Sequence, residues 1–208
     1  MELENNKIIR GFISGEEVAD ILGFVDGIGH TMNTEYRHMV ELSKELNGNS
    51  HMYDISKTSL TRFVTRKQSG DDVLENSLPK IFHGLIDRIS DSVGIPVDNS
   101  YLQIIDMNRG GRIKAHYDIG VEGYVNYKCN ISVLSENYRL NVGKGHFDIS
   151  QGDLYAFEAS LYKHWTENES DSRRVLLSYG FLVPYERLGR TKDDPRVRLS
   201  RRIEKYLQ

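Results

Sequence analysis

The apolar positions of this chain change period along its length. In the N-terminal half they recur mostly at helical spacing, and from Tyr101 onward they fall in short alternating or continuous runs. Residues 8–13 are a short apolar stretch that predicts an edge strand. Ser14-Gly-Glu-Glu17 then forms a capping box, in which the serine side chain caps a helix and the glutamate reaches back to the serine N–H. Val18, Ile21, Leu22 and Val25 supply the apolar stripe of that helix. Ile13 and Val18 are placed as a hydrophobic staple, and Gly27 and Gly29 end the helix. Residues 34–46 predict a second helix, stopped by Asn47-Gly48-Asn49. Thr58, Leu60, Arg62, Val64 and Arg66 alternate with their neighbours and suggest a strand. Residues 71–93 predict the strongest helix, with Leu74, Leu78, Ile81, Phe82, Leu85, Ile86 and Ile89 on a broad apolar face suited to packing on a sheet.

Beyond this the chain reads as β. Strands are predicted over 101–107, 112–118, 124–135, 138–142, 145–149, 153–158 and 173–183, punctuated by Gly, Asn and Asp. Helices first and many short strands afterwards predict an α+β fold in which helices brace a sandwich or barrel. The tail after Pro184 is basic and polar, and residues 196–207 could form a last helix carrying Arg198, Arg201, Arg202 and Lys205.

Composition narrows the class. With 208 residues, 38% hydrophobic and 27% charged, the chain reads as one soluble globular domain spanning 1–208. In it, 1–99 would brace a core over 100–183, with 184–208 as a tail. A formal charge of −3 gives no general pull toward nucleic acid. No apolar run is long enough to span a membrane, and the N-terminus lacks the basic and apolar regions of a signal peptide. Cys129 is the single cysteine, which excludes an intrachain disulfide framework and a cysteine-based zinc site. Cytoplasmic is the default expectation. The oligomeric state is left open.

Candidate chemistry centres on the stretch from Tyr101 to Asp118. It reads as two strands around Gly110-Gly111, the second ending in His116-Tyr117-Asp118. Residues i and i+2 of a strand share a face, so His116 and Asp118 can present an imidazole and a carboxylate to one point while Tyr117 turns away. Two such ligands and a distant histidine make a facial triad for Fe(II) with open positions. His164 is the candidate third ligand, following a turn at Gly152-Asp153 and an apolar strand to Phe157. Arg173-Arg174 then opens a long apolar strand. A guanidinium at the inner end of a barrel needs an anion, and a dicarboxylate would suit it. The two arginines point to opposite faces, so only one can serve. His30, His38, His51, His83 and His146 read as surface or packing residues. Tyr124, Tyr127, Tyr155, Phe157 and Tyr162 read as core or barrel lining. Tyr117 and Asn130 are candidates for the pocket, and the polar stretches 51–70 and 119–127 are candidate lids.

The order His-x-Asp, distal His, then Arg nine or ten residues later resembles the Fe(II)/2-oxoglutarate-dependent oxygenase superfamily. The closest local resemblance is to prolyl-hydroxylase-type members, through Leu102-Gln103, Gly110-Gly111 and His116/Asp118. It covers roughly residues 100–183 and implies a double-stranded β-helix. It further implies His116, Asp118 and His164 as Fe(II) ligands, with 2-oxoglutarate as cosubstrate and O2 as oxidant. Arg173 or Arg174 would bind the distal carboxylate, and the spacing of nine from His164 favours Arg173. Where prolyl hydroxylases often place a first-strand Tyr against 2-oxoglutarate, this chain has Met107; Tyr101, Tyr127 or Asn130 are candidate substitutes. The implied reaction is hydroxylation of a C–H bond in an amino acid, peptide or other small molecule, with release of succinate and CO2. The presence of Asp118 argues against a halogenase. An AlkB-type nucleic-acid demethylase is the alternative, although its usual pair of Arg residues six apart is missing: Tyr179 and Gly180 stand six after Arg173 and Arg174. A non-catalytic β-helix binding module, or a cupin-like enzyme using zinc or manganese, is a further reading.

Overall fold

A computed structural model describes residues 6–28, 58–66 (backbone only), 78–95, 100–118, 121–166, 171–195 and 197. Strand β1 spans Lys7–Ile9 and helix α1 spans Gly15–Gly27. The capping box forms as the sequence predicts: Ser14 Oγ accepts from Glu17 N at 3.2 Å, and Glu17 Oε2 accepts from Ser14 N at 2.8 Å. Ile13 and Val18 are both buried in one core. Strand β2 is Thr58–Arg66 and helix α2 is Lys80–Val93. This helix starts later than its apolar pattern suggests. Pro79 sits ahead of it with φ −54° and ψ 147°, an extended conformation that stops helix from propagating in from Leu78. Leu78 is still buried, so its apolar character serves the core and not the helix. The expected helix over 34–46, and Leu74, lie outside the described residues.

The strands that follow are β3 (Ser100–Met107), β4 (Tyr124–Leu134), β5 (Tyr138–Val142), β6 (Gly145–Ile149), β7 (Leu154–Glu158), β8 (His164–Thr166) and β9 (Arg174–Pro184). All their pairings are antiparallel, in a six-stranded sheet of order β1-β7-β4-β9-β3-β2 and a three-stranded sheet of order β6-β5-β8. Two expectations change here. Residues 112–118 are not a regular strand; they meet the small sheet at an isolated bridge, His116 opposite His164, and through hydrogen bonds between Ile113 and Thr166. The turn Tyr185–Leu188 and the three-residue β8 were not foreseen, being too short to show a period. Residues 124–127 of the expected lid belong to β4. Of the expected last helix, only Val197 is described, and it is helical.

Alternation along the large sheet separates two cores. Tyr127, Cys129, Ile131 and Val133 of β4, with Val175, Leu177, Tyr179 and Phe181 of β9, face α1 and α2. Tyr155 and Phe157 of β7 face the other way and meet Leu140 and Val142 of the small sheet. The helices therefore cover one face of the large sheet, and the other face closes with the small sheet around an interior.

Candidate metal centre and its pocket

His116, Asp118 and His164 are brought together, with their ligand atoms all within 4.8 Å of one another. The backbone sets this geometry. His116 N donates to His164 O at 3.1 Å and His164 N donates to His116 O at 2.9 Å, so the two histidines lie side by side with ring centroids 4.1 Å apart. Asp118 N donates to Ala159 O at 3.1 Å, fixing the carboxylate against the turn after β7. Each imidazole is oriented in the same way. His116 Nδ1 lies 2.6 Å from Lys114 O and His164 Nδ1 lies 3.0 Å from Tyr162 O. A carbonyl only accepts, so each Nδ1 carries the proton and each Nε2 offers a lone pair. Both Nε2 atoms face one oxygen, Asp118 Oδ1, at 3.3 and 3.7 Å. Two neutral nitrogens and one carboxylate oxygen converging in this way are a donor set suited to Fe(II).

Electrostatics keeps the ligands ready. Burial pulls the His164 imidazole down to about 3, with His116 adding to the effect, so the ring is neutral at neutral pH. Burial alone would push the Asp118 carboxyl up. The Lys128 ammonium is the largest influence that outweighs it, and the group is held far below the usual carboxylate range. Lys128 is itself buried, yet Tyr101 and Asp118 keep its ammonium above its ordinary value, so it stays charged.

The two arginines separate cleanly. Arg173 donates from Nε and Nη2 to Asp106 at 3.0 and 2.9 Å and from Nη2 to Asp26 at 2.7 Å. Arg174, by contrast, is 4% exposed, its guanidinium carbon lies 4.0 Å from the centre of the Tyr138 ring, and its Nη1 has no partner. The Arg173 guanidinium, which the spacing favoured, is thus committed to two carboxylates, while Arg174 enters the interior with an Nη1 that has no hydrogen-bond partner among the described residues.

A continuous set of contacts joins Arg174 to the triad. The Tyr138 and Tyr155 hydroxyls are 3.0 Å apart, and Asn130 also hydrogen-bonds Tyr155. Tyr155 stacks beside Phe157, and Phe157 meets the His164 ring at 4.8 Å between centroids. Asn130 thus lies on this path, and its Oδ1 has no hydrogen-bond partner among the described residues. Tyr127 does not: it lies in the core beneath the helices, on the same face of β4 as Cys129, Ile131 and Val133. Tyr101 lies at the Lys128 end, hydrogen-bonded to Asn126, and not beside Arg174. Tyr117 is 36% exposed and turned from the triad's pocket. Sequence reasoning missed Tyr138 and Lys128. A signal existed for the lysine: Asn126, Lys128, Asn130 and Ser132 alternate with Tyr127, Cys129, Ile131 and Val133, which marks a polar inward face on a strand otherwise too apolar to be exposed.

No protein-family model matches the sequence, and no curated protein does. Solved structures do resemble the fold. OsALKBH1 matches with a TM-score of 0.60 at 12% identity, covering 84% of this chain and 97% of that one. A Pseudomonas putida prolyl-4-hydroxylase matches at 0.53 and 12% identity, covering 86% and 92% of the two chains. The viral collagen prolyl hydroxylase of Paramecium Bursaria Chlorella virus-1, solved as a 2OG complex, matches at 0.54 and 10% identity, covering 86% and 96%. The chain thus has the double-stranded β-helix fold seen in these 2OG-Fe(II) oxygenases.

Proposed function

We propose that this protein is an Fe(II)- and 2-oxoglutarate-dependent oxygenase that hydroxylates a C–H bond in an amino acid, a peptide or another small molecule. The observation that carries the reading is the buried, unpaired Nη1 of Arg174 in the same interior as the His116–Asp118–His164 triad. A buried guanidinium donor without an acceptor is costly, and a carboxylate is the partner its planar fork fits best. His116, Asp118 and His164 would hold Fe(II). Arg174 would bind the distal carboxylate of 2-oxoglutarate, against the wall formed by Tyr138, Tyr155 and Asn130. Bound iron with its cosubstrate would supply the activation of O2 and the oxidation of the C–H bond, giving succinate and CO2. The chain's own part is to orient and to exclude water. Tyr138 holds the guanidinium plane from one face. Phe157 shields the His164 ring, and the two Nδ1–carbonyl bonds keep both imidazoles in the metal-binding tautomer.

The test is 2-oxoglutarate binding to Fe(II)-loaded protein without O2, read by the weak visible charge-transfer band of the chelate. Wild type shows the band. Arg174→Met weakens 2-oxoglutarate binding by about 100-fold, the scale expected for loss of a buried charged partner. Arg173→Met leaves that affinity unchanged. No band in folded, metal-loaded protein rejects the proposal. The fold likeness to OsALKBH1 favours a second reading, AlkB-type oxidative demethylation of nucleic acid. Succinate formation driven by an alkylated oligonucleotide, and not by amino acids or peptides, would select it.

A further inference from the structure

The metal-ligand reading of Asp118 uses one carboxylate oxygen and leaves the other to be explained. Oδ1 faces both histidine Nε2 atoms, whereas Oδ2 faces Lys128 Nζ at 3.5 Å. Lys128 is not a surface cation leaning in. Its side chain is 8% exposed, and it stands on the inward face of β4. Its ammonium has three hydrogens and three acceptors: Asp118 Oδ2, Gln103 Oε1 at 2.8 Å and Ser178 Oγ at 3.3 Å. The Tyr101 ring closes a fourth side, its centre 4.7 Å from Nζ.

The sheet makes room for this arrangement at one position. Gly180 of β9 lies directly between Tyr101 of β3 and Lys128 of β4 in the strand register. A Cβ on Gly180 would run into Tyr101 Cζ and Oη, so the tyrosine can lie across the sheet beneath the ammonium only because this residue is glycine. Asn126 then fixes the Tyr101 hydroxyl at 3.2–3.3 Å. Gln103, Ser178, Tyr101, Gly180 and Asn126 thus form a socket from three adjacent strands that aims one ammonium at one oxygen.

We propose that Lys128 is a positioning residue for the metal centre: an internal counter-ion that occupies Asp118 Oδ2, fixes the carboxylate plane, and leaves Oδ1 alone for the metal. Without this partner the carboxylate would be free to rotate or to offer both oxygens to a cation. The proposal rests on the reading of Asp118 as a ligand, but its first test does not need a metal.

That test is a double-mutant cycle on metal-free protein, with urea unfolding of wild type, Lys128→Met, Asp118→Asn and the double variant. Each single change strands the other charge in the interior, so the double variant loses at most about half the sum of the two single shifts in midpoint. Additive shifts overturn the proposal. Should Lys128→Met alone fail to fold, recovery of folding in the double variant supports it and continued failure overturns it. The second readout is the visible d–d spectrum of Co(II)-loaded protein. Lys128→Met changes the spectrum while Cys129→Ser, a neighbour on the outward face of β4, does not. A spectrum identical to wild type in Lys128→Met overturns the positioning role. A non-additive cycle with no Co(II) binding in any variant, wild type included, would instead remove the metal reading while leaving the ion pair in place.

Discussion

The properties of single side chains decide what this interior can bind. Each histidine of the triad spends its Nδ1 proton on a carbonyl two residues earlier, so the tautomer is fixed by local chain geometry and not by the metal. The depressed His164 has a consequence for stability. In the unfolded chain this ring takes a proton near its ordinary value of 6.5, while in the folded protein it stays neutral to about 3. Below 6.5 the unfolded state binds more protons, so stability falls as pH drops from 7 to 5. The metal-free protein should show a lower urea midpoint at pH 5 than at pH 7, and the drop should shrink in His164→Gln. An equal drop in both proteins would show that other groups carry it. The His-x-Asp pair was legible in the sequence from its short spacing, and the distal His from the turn and apolar strand that precede it. The choice between Arg173 and Arg174 was not. Alternation says that the two point apart, and only the presence of Asp106 and Asp26 beside one and Tyr138 beside the other says which points in.

Among the elements, those bounded by clear caps and turns matched their forecasts. Helix α1 with its capping box, and strands β3, β5, β6 and β7, lie within a residue or so of the predicted bounds because local backbone rules fix them. Residues 112–118 did not form a regular strand, although the argument for convergence of His116 and Asp118 assumed one. What brings them together is pairing to partners far along the chain: His116 to His164, and Asp118 to Ala159. The tight packing of Tyr101 over Gly180 is likewise a property of three strands in register. Gly180→Ala should displace the Tyr101 ring and cost about 1–3 kcal/mol of stability, the usual range for overpacking. Adding Tyr101→Ala should relieve that overlap, so the Gly180→Ala penalty measured by urea unfolding should be much smaller in the Tyr101→Ala background than in wild type.

In the folded molecule as a whole, the turn that carries Ala159 and Tyr162 to the His116–Asp118–His164 cluster is anchored by the segment after β9. Arg190 donates from Nε and Nη2 to the two oxygens of Glu158 at 2.9 and 2.7 Å and from Nη2 to Tyr162 Oη at 3.2 Å, and Glu158 is 1% exposed. Removing the guanidinium leaves a buried carboxylate without its charge partner, so Arg190→Met should cost about 3 kcal/mol or more. It should also reduce the rise in melting temperature on adding Co(II), because Asp118 N and His164 Nδ1 both bond to this turn. A variant of unchanged stability would show that the pair is not the anchor. Among the described residues, no helix is long and apolar enough to cross a membrane. Residue identity and period were enough to set the α+β class, the helix cap, most strands and the candidate ligands His116, Asp118 and His164, since each is read from residue types and short local patterns. The inward arginine, the Tyr138–Tyr155 wall and the Lys128 counter-ion were decided by strand register and sheet closure. Those depend on which distant residues are paired, and no local pattern encodes that.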